Sequence, residues 1–215
     1  MKQIIMDGPG IESYLQDPEI SARIQKVLDF LENNGIDYEI YRHPPLPTIE
    51  IALEYWKSLS AVHCKNLFMR NHKGNRHYLI SFECHKNLEI HTLEHMLRQG
   101  KLSFASEERM VRCLGLHPGS VSPFGLINDM GLAVTSPDST DSLPVFEQIR
   151  QDVSQKELFP NGHRVKFFID SDIRNADRVS FHPCDNTASV IVSYSGFIKF
   201  LNLWGGEYEW IDIFA

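Results

Sequence analysis

Long hydrophobic runs, an excess of positive charge, paired cysteines and the common nucleotide fingerprints are all missing from this sequence. Its longest apolar stretches, such as KFFID and SVIVSY, fall far short of the roughly 20 residues needed to cross a bilayer, so no membrane span is expected. Lys and Arg number 21 against 28 Asp and Glu, a net charge of -7. The molecule as a whole should therefore repel a phosphate backbone, and any nucleic acid must be gripped locally. Cys64, Cys84, Cys113 and Cys184 form no CxxC pair, which fits reduced, packed thiols better than a disulfide scaffold or a zinc knuckle. There is no GxGxxG after a strand, no GxxxxGK[ST] and no GxSxG, so nucleotide-cofactor and serine-hydrolase readings lose their main support. The first residues, MKQIIMDGPGIESYL, lack an apolar h-region, and the expected address is the cytoplasm.

What is present is a chain of 215 residues, 42% hydrophobic, with Gly 13 and Pro 11 near ordinary usage. That is enough for one packed domain and argues against disorder. Ile20, Ile24, Val27, Leu28 and Leu31 recur at helical spacing, with Gly35 as terminator. Ile36, Tyr38 and Ile40 then alternate with polar neighbours as a half-buried strand that ends at His43-Pro44-Pro45. Thr48 is the expected N-cap of a helix to Ser58. Residues 64–69 and 77–82 read as a hairpin, 88–99 as a helix closed by Gly100, and 106–114 as a helix capped by Ser106 and stopped by Gly115. Strands follow at 165–170, 180–182 and 188–194, a helix at 197–203 and an edge strand at 208–214. Helices interleaved with strands and at least one hairpin predict an α/β or α+β domain with a mixed sheet, rather than a doubly wound parallel one.

Four constellations could carry chemistry. His91-Thr92-Leu93-Glu94-His95 matches the H-x-x-E-H order of inverted zinc proteases. No third ligand is identifiable, however, and the flanking Lys86, Glu89 and Arg98 suggest a solvated helix face. Lys65 and Asn66 open a strand; such a lysine is usually just solvated, but here it stands before Leu67, Phe68 and Met69, where its ammonium can project from a sheet rim toward a phosphate or carbonyl. The loop 117–125 reads as a linker or as a rigid turn, since Gly119 and Gly125 allow close backbone approach and Pro123 stiffens it. A turn of that kind can aim N–H groups at an oxyanion. His182, before Pro183, reads equally well as a hydrogen-bonded structural residue or a catalyst.

The blocks HPPLPT, CKNLFMRNHKGNRHYLI, KLSFASEERM, LGLHPGSVSPFGLIND and FHPCDNTAS stand in this order, and together they resemble the YbaK/prolyl-tRNA synthetase-associated editing superfamily. The freestanding prolyl-tRNA deacylase branch is the most similar, over residues 22–203. The resemblance implies a mixed, barrel-like sheet with surrounding helices, and one editing domain over 18–215 behind an N-terminal extension, 1–17, of no assigned role. It implies a hydrolase that removes amino acids wrongly esterified to tRNA, alanine on proline tRNA foremost, with no metal or organic cofactor. The partners implied are the acceptor end of mischarged tRNA and possibly prolyl-tRNA synthetase, with neither membrane nor DNA. By position, Lys65 matches the family's functional lysine, Asn66 its neighbouring asparagine, and Gly119 with Pro123 the GxxxP loop beside the scissile ester. His182, Asn186 and Thr187 match a block lining the same pocket. On this resemblance Lys65, Gly119 and His182 are the expected catalytic residues, and Asn66, Ser120, Pro123, Phe124, Gly125, Asn186 and Thr187 the expected substrate-binding ones.

The chemistry expected of such a site is water attack on the ester. Lys65 would hold the terminal phosphate or ribose with Asn66 in support, and backbone N–H groups at Gly119 and Ser120 would stabilise the oxyanion. The proton acceptor is either His182 or the vicinal ribose hydroxyl. A catalytically inactive module that binds tRNA or the synthetase is the alternative. The chain departs from the family in an insertion over about 130–162, where Pro144, Val145, Ile149 and Val153 predict a helix across 143–158, as surface elaboration or as a tRNA or protein contact. Lys57, Lys65, Arg70, Lys73 and Arg76 are expected to make the surroundings of the pocket locally basic.

Overall fold

A computed structural model describes residues 2–6, 8, 10–46, 48–130 and 157–213. Asp17 caps the long helix by accepting from the backbone N–H groups of Glu19 and Ile20, and Pro18 occupies its first turn. The elements are strand β1 (Lys2–Ile5), helices α1 (Ile11–Gln16) and α2 (Pro18–Asn33), strand β2 (Tyr38–Arg42), helix α3 (Ile49–Trp56), and the hairpin β3 (Val62–Asn71) and β4 (His77–Glu83). Then come α4 (Ile90–Leu97), β5 (Leu102–Phe104), α5 (Glu107–Leu114), a 3-10 helix at Pro123–Asn128, β6 (Val165–Asp170), a 3-10 helix at Ser171–Asn175, β7 (Arg178–Phe181), β8 (Ala188–Ser193), α6 (Tyr194–Trp204) and β9 (Tyr208–Ile211).

The strands form one nine-stranded sheet in the order β1-β2-β8-β7-β3-β4-β6-β9, with β5 on β3. Parallel pairs (β1 with β2, β3 with β7, β4 with β6, β6 with β9) mix with antiparallel ones, as the interleaved sequence pattern predicts. One face packs against α2, α5 and α6 through Ile24, Leu31, Phe68, Phe124, Phe181 and Phe200. The other carries two smaller apolar clusters. Tyr41, Ile191 and Cys84 meet Trp56 and Leu59 of the α3 region, and Met69, Tyr78 and Ile80 meet Leu93 and Leu97 of α4. Among the described residues no helix is long and apolar enough to cross a membrane. All four cysteines are buried and free.

Two boundaries differ from the sequence reading. Helix α4 ends not at Gly100 but at Arg98, which takes the left-handed conformation itself (φ 52°). Lys2–Ile5, assigned nothing from the sequence, adds a parallel edge strand to β2. The helix expected across 143–158 falls, but for its last two residues, outside the described residues. The next segment re-enters the core through buried Phe159, and buried Asp129 ties the two sides of the insertion together by accepting from the backbone N–H groups of Arg164 and Val165.

Candidate active site

The site begins with a split in the sheet. Strand β3 pairs with β4 from Cys64 to Arg70, but its other edge meets β7 only at Val62 and His63 and meets β5 only from Met69. Between these pairings the edge holding Lys65 and Asn66 has no strand partner among the described residues. The chain leaving β7 turns away at this point through the block His182 to Thr187, opening a wedge beside Lys65.

Side chains alternate across a strand, and directly paired residues share a face. His63 pairs with Ser180 and Tyr41 pairs with Ser189, so His43, His63, Lys65 and Ser189 lie on the face that α3 covers, with His182 next in alternation beyond Ser180. The imidazoles of His43 and His182 are 6.3 Å apart. His63 stacks on the Trp56 indole at 4.4 Å and 4°. Trp56 Nε1 donates to Ser189 Oγ at 3.2 Å, and Ser189 Oγ lies 3.0 Å from His43 Nε2. Because a carbonyl can only accept, His43 must donate from Nδ1 to Pro44 O (2.8 Å), and Ser189 then donates to Nε2. Both His43 nitrogens are thereby engaged.

His182 is different. Its Nδ1 donates to Ala188 O at 2.9 Å, leaving the Nε2 lone pair without an intramolecular partner among the described residues. Burial disfavours the charged imidazolium: it pushes His43 and His63 down to about 4 and lowers His182 as well. All three are neutral near pH 7. Neither nitrogen of His63 is within hydrogen-bond geometry of a partner; the nearby Leu59 backbone offsets only part of the effect of burial.

Lys65 is half-buried, and Nζ donates to Lys86 O at 3.0 Å. Lys86 is itself buried, held by Asp170 at 2.9 Å, by Asp172 at 2.6 Å and by Ile213 O. The residue read from sequence as a mark of a solvated surface is instead the anchor beneath Lys65. On the other side of the wedge Ser122 Oγ donates to His182 O at 2.5 Å. Gly119, at φ +84°, stands so close to Asn186 that an added Cβ would lie 3.5 Å from its Nδ2. The glycine turn and the His182 block are thus one unit, and the block continues from β7, which pairs with β3 at His63.

Several expected site residues serve elsewhere. The Ser120 backbone N–H is spent on His117 O (3.1 Å), so of the two oxyanion donors expected only the Gly119 N–H remains available. Pro123 is buried at the start of the 3-10 helix. Phe124 is fully buried, edge-on to Phe181 and Phe200, and Gly125 packs against Leu116, leaving no room for a Cβ; both are core residues, not pocket wall. Thr187 is buried, and its hydroxyl and N–H both close onto Asp185 Oδ1, a carboxylate also held by Arg23 at 2.8 Å. Asn66 faces away from Lys65, and its Oδ1 accepts from Ser81 at 2.6 Å; the two do not support one another.

The imidazoles of His91 and His95 lie on the exposed face of α4 with their Nε2 atoms 3.3 Å apart. Sequence reasoning missed His43, His63, Trp56 and Ser189, although His43 opens the block HPPLPT. Strand register puts His43, His63 and Ser189 on the face of His182, and helix α3 brings Trp56 onto it.

Residues 43–135 match the family model of the aminoacyl-tRNA editing domain. The chain is 29% identical over 189 residues to the prolyl-tRNA editing protein ProX of Acetoanaerobium sticklandii, covering 88% of this chain and 96% of that one. It is 25% identical over 193 residues to the prolyl-tRNA synthetase associated domain-containing protein 1 of Mus musculus, covering 88% and 94%. A solved structure described as a candidate trans-editing enzyme for prolyl-tRNA synthetase superposes with a TM-score of 0.55 at 16% identity, covering 91% of this chain and 98% of that one. The resemblance read from the ordered sequence blocks is borne out.

Proposed function

We propose, from the premise that this chain carries an aminoacyl-tRNA editing domain over residues 43–135, that it is a trans-acting deacylase hydrolysing amino acids misattached to proline tRNA, alanine foremost. The observation that carries this reading is the open edge of β3 at Lys65, beside the strand β7 whose continuation at His182 is joined to a glycine turn. The need for such an enzyme is physical. A pocket built for proline gains only about 1–3 kcal/mol of discrimination from missing methylenes, so a second, smaller cavity must remove the error.

In this reading the 3′-terminal adenosine ester enters the wedge. The Lys65 ammonium, oriented by Lys86 O, uses its remaining hydrogens on the terminal phosphate or ribose. Water adds to the acyl carbon, and the oxyanion is met by the Gly119 N–H; one such donor is worth about 3–4 kcal/mol. The proton passes to His182 Nε2, the lone pair left bare by the bond to Ala188 O, and returns to the departing ribose 3′-oxygen. On this reading His63, in the same cluster as His43 and His182, lines the end of the wedge that receives the amino-acid moiety.

The test is incubation with alanyl, cysteinyl, seryl and prolyl forms of proline tRNA. Release of alanine with prolyl ester spared is expected, whereas no release from any of the four would favour a binding module without chemistry. His182→Asn keeps the donor to Ala188 O but removes Nε2. Retained turnover in that variant would pass the role of base to the ribose 2′-hydroxyl.

A further inference from the structure

The basic residues read from sequence as surrounding the pocket do not all lie there. Lys65 stands near the start of β3, whereas Arg70 and Lys73 belong to its far end and the following turn. Six residues of strand from Lys65 to Asn71 span about 20 Å at roughly 3.3 Å each. At that far end a recess of about 410 Å³ is lined by His72, Lys73, Arg76 and Lys101 among amide side chains, with no carboxylate in its wall. Arg70 beside it donates only to the backbone carbonyls of Asn71 and His72. Among the described residues no carboxylate forms an ion pair with Arg70, Lys73 or Lys101.

The turn that carries these charges is rigid. Asn71 Oδ1 accepts from the backbone of Asn75 and Arg76, and Arg109 braces it by donating to Gly74 O at 2.7 Å and to His77 Nε2 at 2.9 Å. The local potential registers on buried His77, which burial and then Arg109, Arg112, Arg70 and Arg164 push down to about 3. Next to this surface, on edge strand β5, the Phe104 ring is 58% exposed. In a chain of net charge -7, a fixed concentration of cations with an exposed aromatic at its rim has the composition of a nucleic-acid surface.

We propose that the 71–76 turn, with Arg70 and Lys101, is a second RNA-docking surface that holds the phosphodiester backbone of the substrate several nucleotides away from the ester seated at Lys65. This rests on the deacylase reading for the identity of the RNA, but not for the binding itself.

The experiment measures binding of uncharged proline tRNA by fluorescence anisotropy across a salt series, alongside single-turnover deacylation at saturating enzyme. The double variant Lys73→Glu/Lys101→Glu alters two exposed side chains, so the fold should survive, as its melting curve would verify. Its Kd should rise about tenfold, and its log Kd against log salt slope should flatten by about 1.4–1.8, at about 0.7–0.9 per lost phosphate contact. The saturated deacylation rate should stay at the wild-type value. Lys73→Gln/Lys101→Gln should move both binding readouts in the same direction by less.

Unchanged affinity, or lost affinity with an unchanged slope, overturns the proposal. So does poly-glutamate that competes as well as RNA of equal charge, which would assign the surface to an acidic protein. Wild-type protein that binds tRNA at this surface but deacylates nothing would break the functional reading alone.

Discussion

The two ends of β3 are built on opposite electrostatic plans. At the Lys65 end a single ammonium stands among three histidines held neutral by burial, and the nearest other cation, Lys86, is neutralised by two aspartates. At the Asn71 end several cations stand together and the buried histidine between them is kept neutral by the arginines as well as by burial. The difference separates chemistry from grip. A site that must stabilise a transient oxyanion profits from a few fixed donors in a dry setting. A surface that holds a phosphodiester backbone profits from several solvated cations that displace its counterions. On the proposed reading, an acidic protein handles RNA without being basic overall.

The largest effect that would sharpen the contrast comes from Lys86. Removing one partner from a buried ion pair leaves the other charge uncompensated, at about 3–5 kcal/mol. Lys86→Met should therefore lower chemical-denaturation stability by that order and loosen Lys65, whose Nζ leans on Lys86 O. A loss under about 1 kcal/mol would mean that the anchor is dispensable.

Lys65→Ala comes next. Deacylation should fall about a hundredfold, equivalent to about 2.7 kcal/mol, while the melting temperature stays near wild type and tRNA affinity falls by far less than the rate. A large loss of affinity with normal turnover would erase the division between the two ends.

Acidification should then distinguish the ends by order of titration. His43 and His63 carry pKa values of about 4 and His77 about 3, all below the ordinary 6.5. As pH falls the unfolded chain takes up these protons first, so stability is complete above about 6.5 and declines toward pH 4, by roughly 1–3 kcal/mol for each histidine. Imidazole NMR titrations should show His43 and His63 shifting before His77. A histidine at either end that titrates near 6.5 would refute its burial.

The smallest expected effect is at Asn66, which faces away from Lys65 and is bonded to Ser81. Asn66→Ala should alter kcat by about threefold or less, in keeping with loss of one hydrogen bond. A hundredfold loss would return it to the site.

Much of the fold was legible because local rules were obeyed. Thr48, Ser106 and Gly115 sit at the helix ends where their side chains or conformations require them, and the Ile36 to Ile40 alternation became a buried strand. The glycine loop and the His182 block, neighbours in the family pattern, do lie together, Gly119 against Asn186 and Ser122 on His182 O. Phe124 and Gly125 were misread because a motif next to a site does not say which of its residues point inward. Lys86 departs from its solvated reading because two aspartates from one distant chain segment, Asp170 and Asp172, make its burial tolerable.

Chain chemistry on its own settled where the helices and strands lie, through periodicity and caps, since those signals act over a few neighbouring residues. Which edge of β3 stays open, which histidines keep a free nitrogen, and how far the cations sit from Lys65 were decided by three-dimensional packing. The first two depend on pairing between segments far apart in sequence, more than a hundred residues between β2 and β8 or between β3 and β7. No local pattern encodes the partner across such a separation.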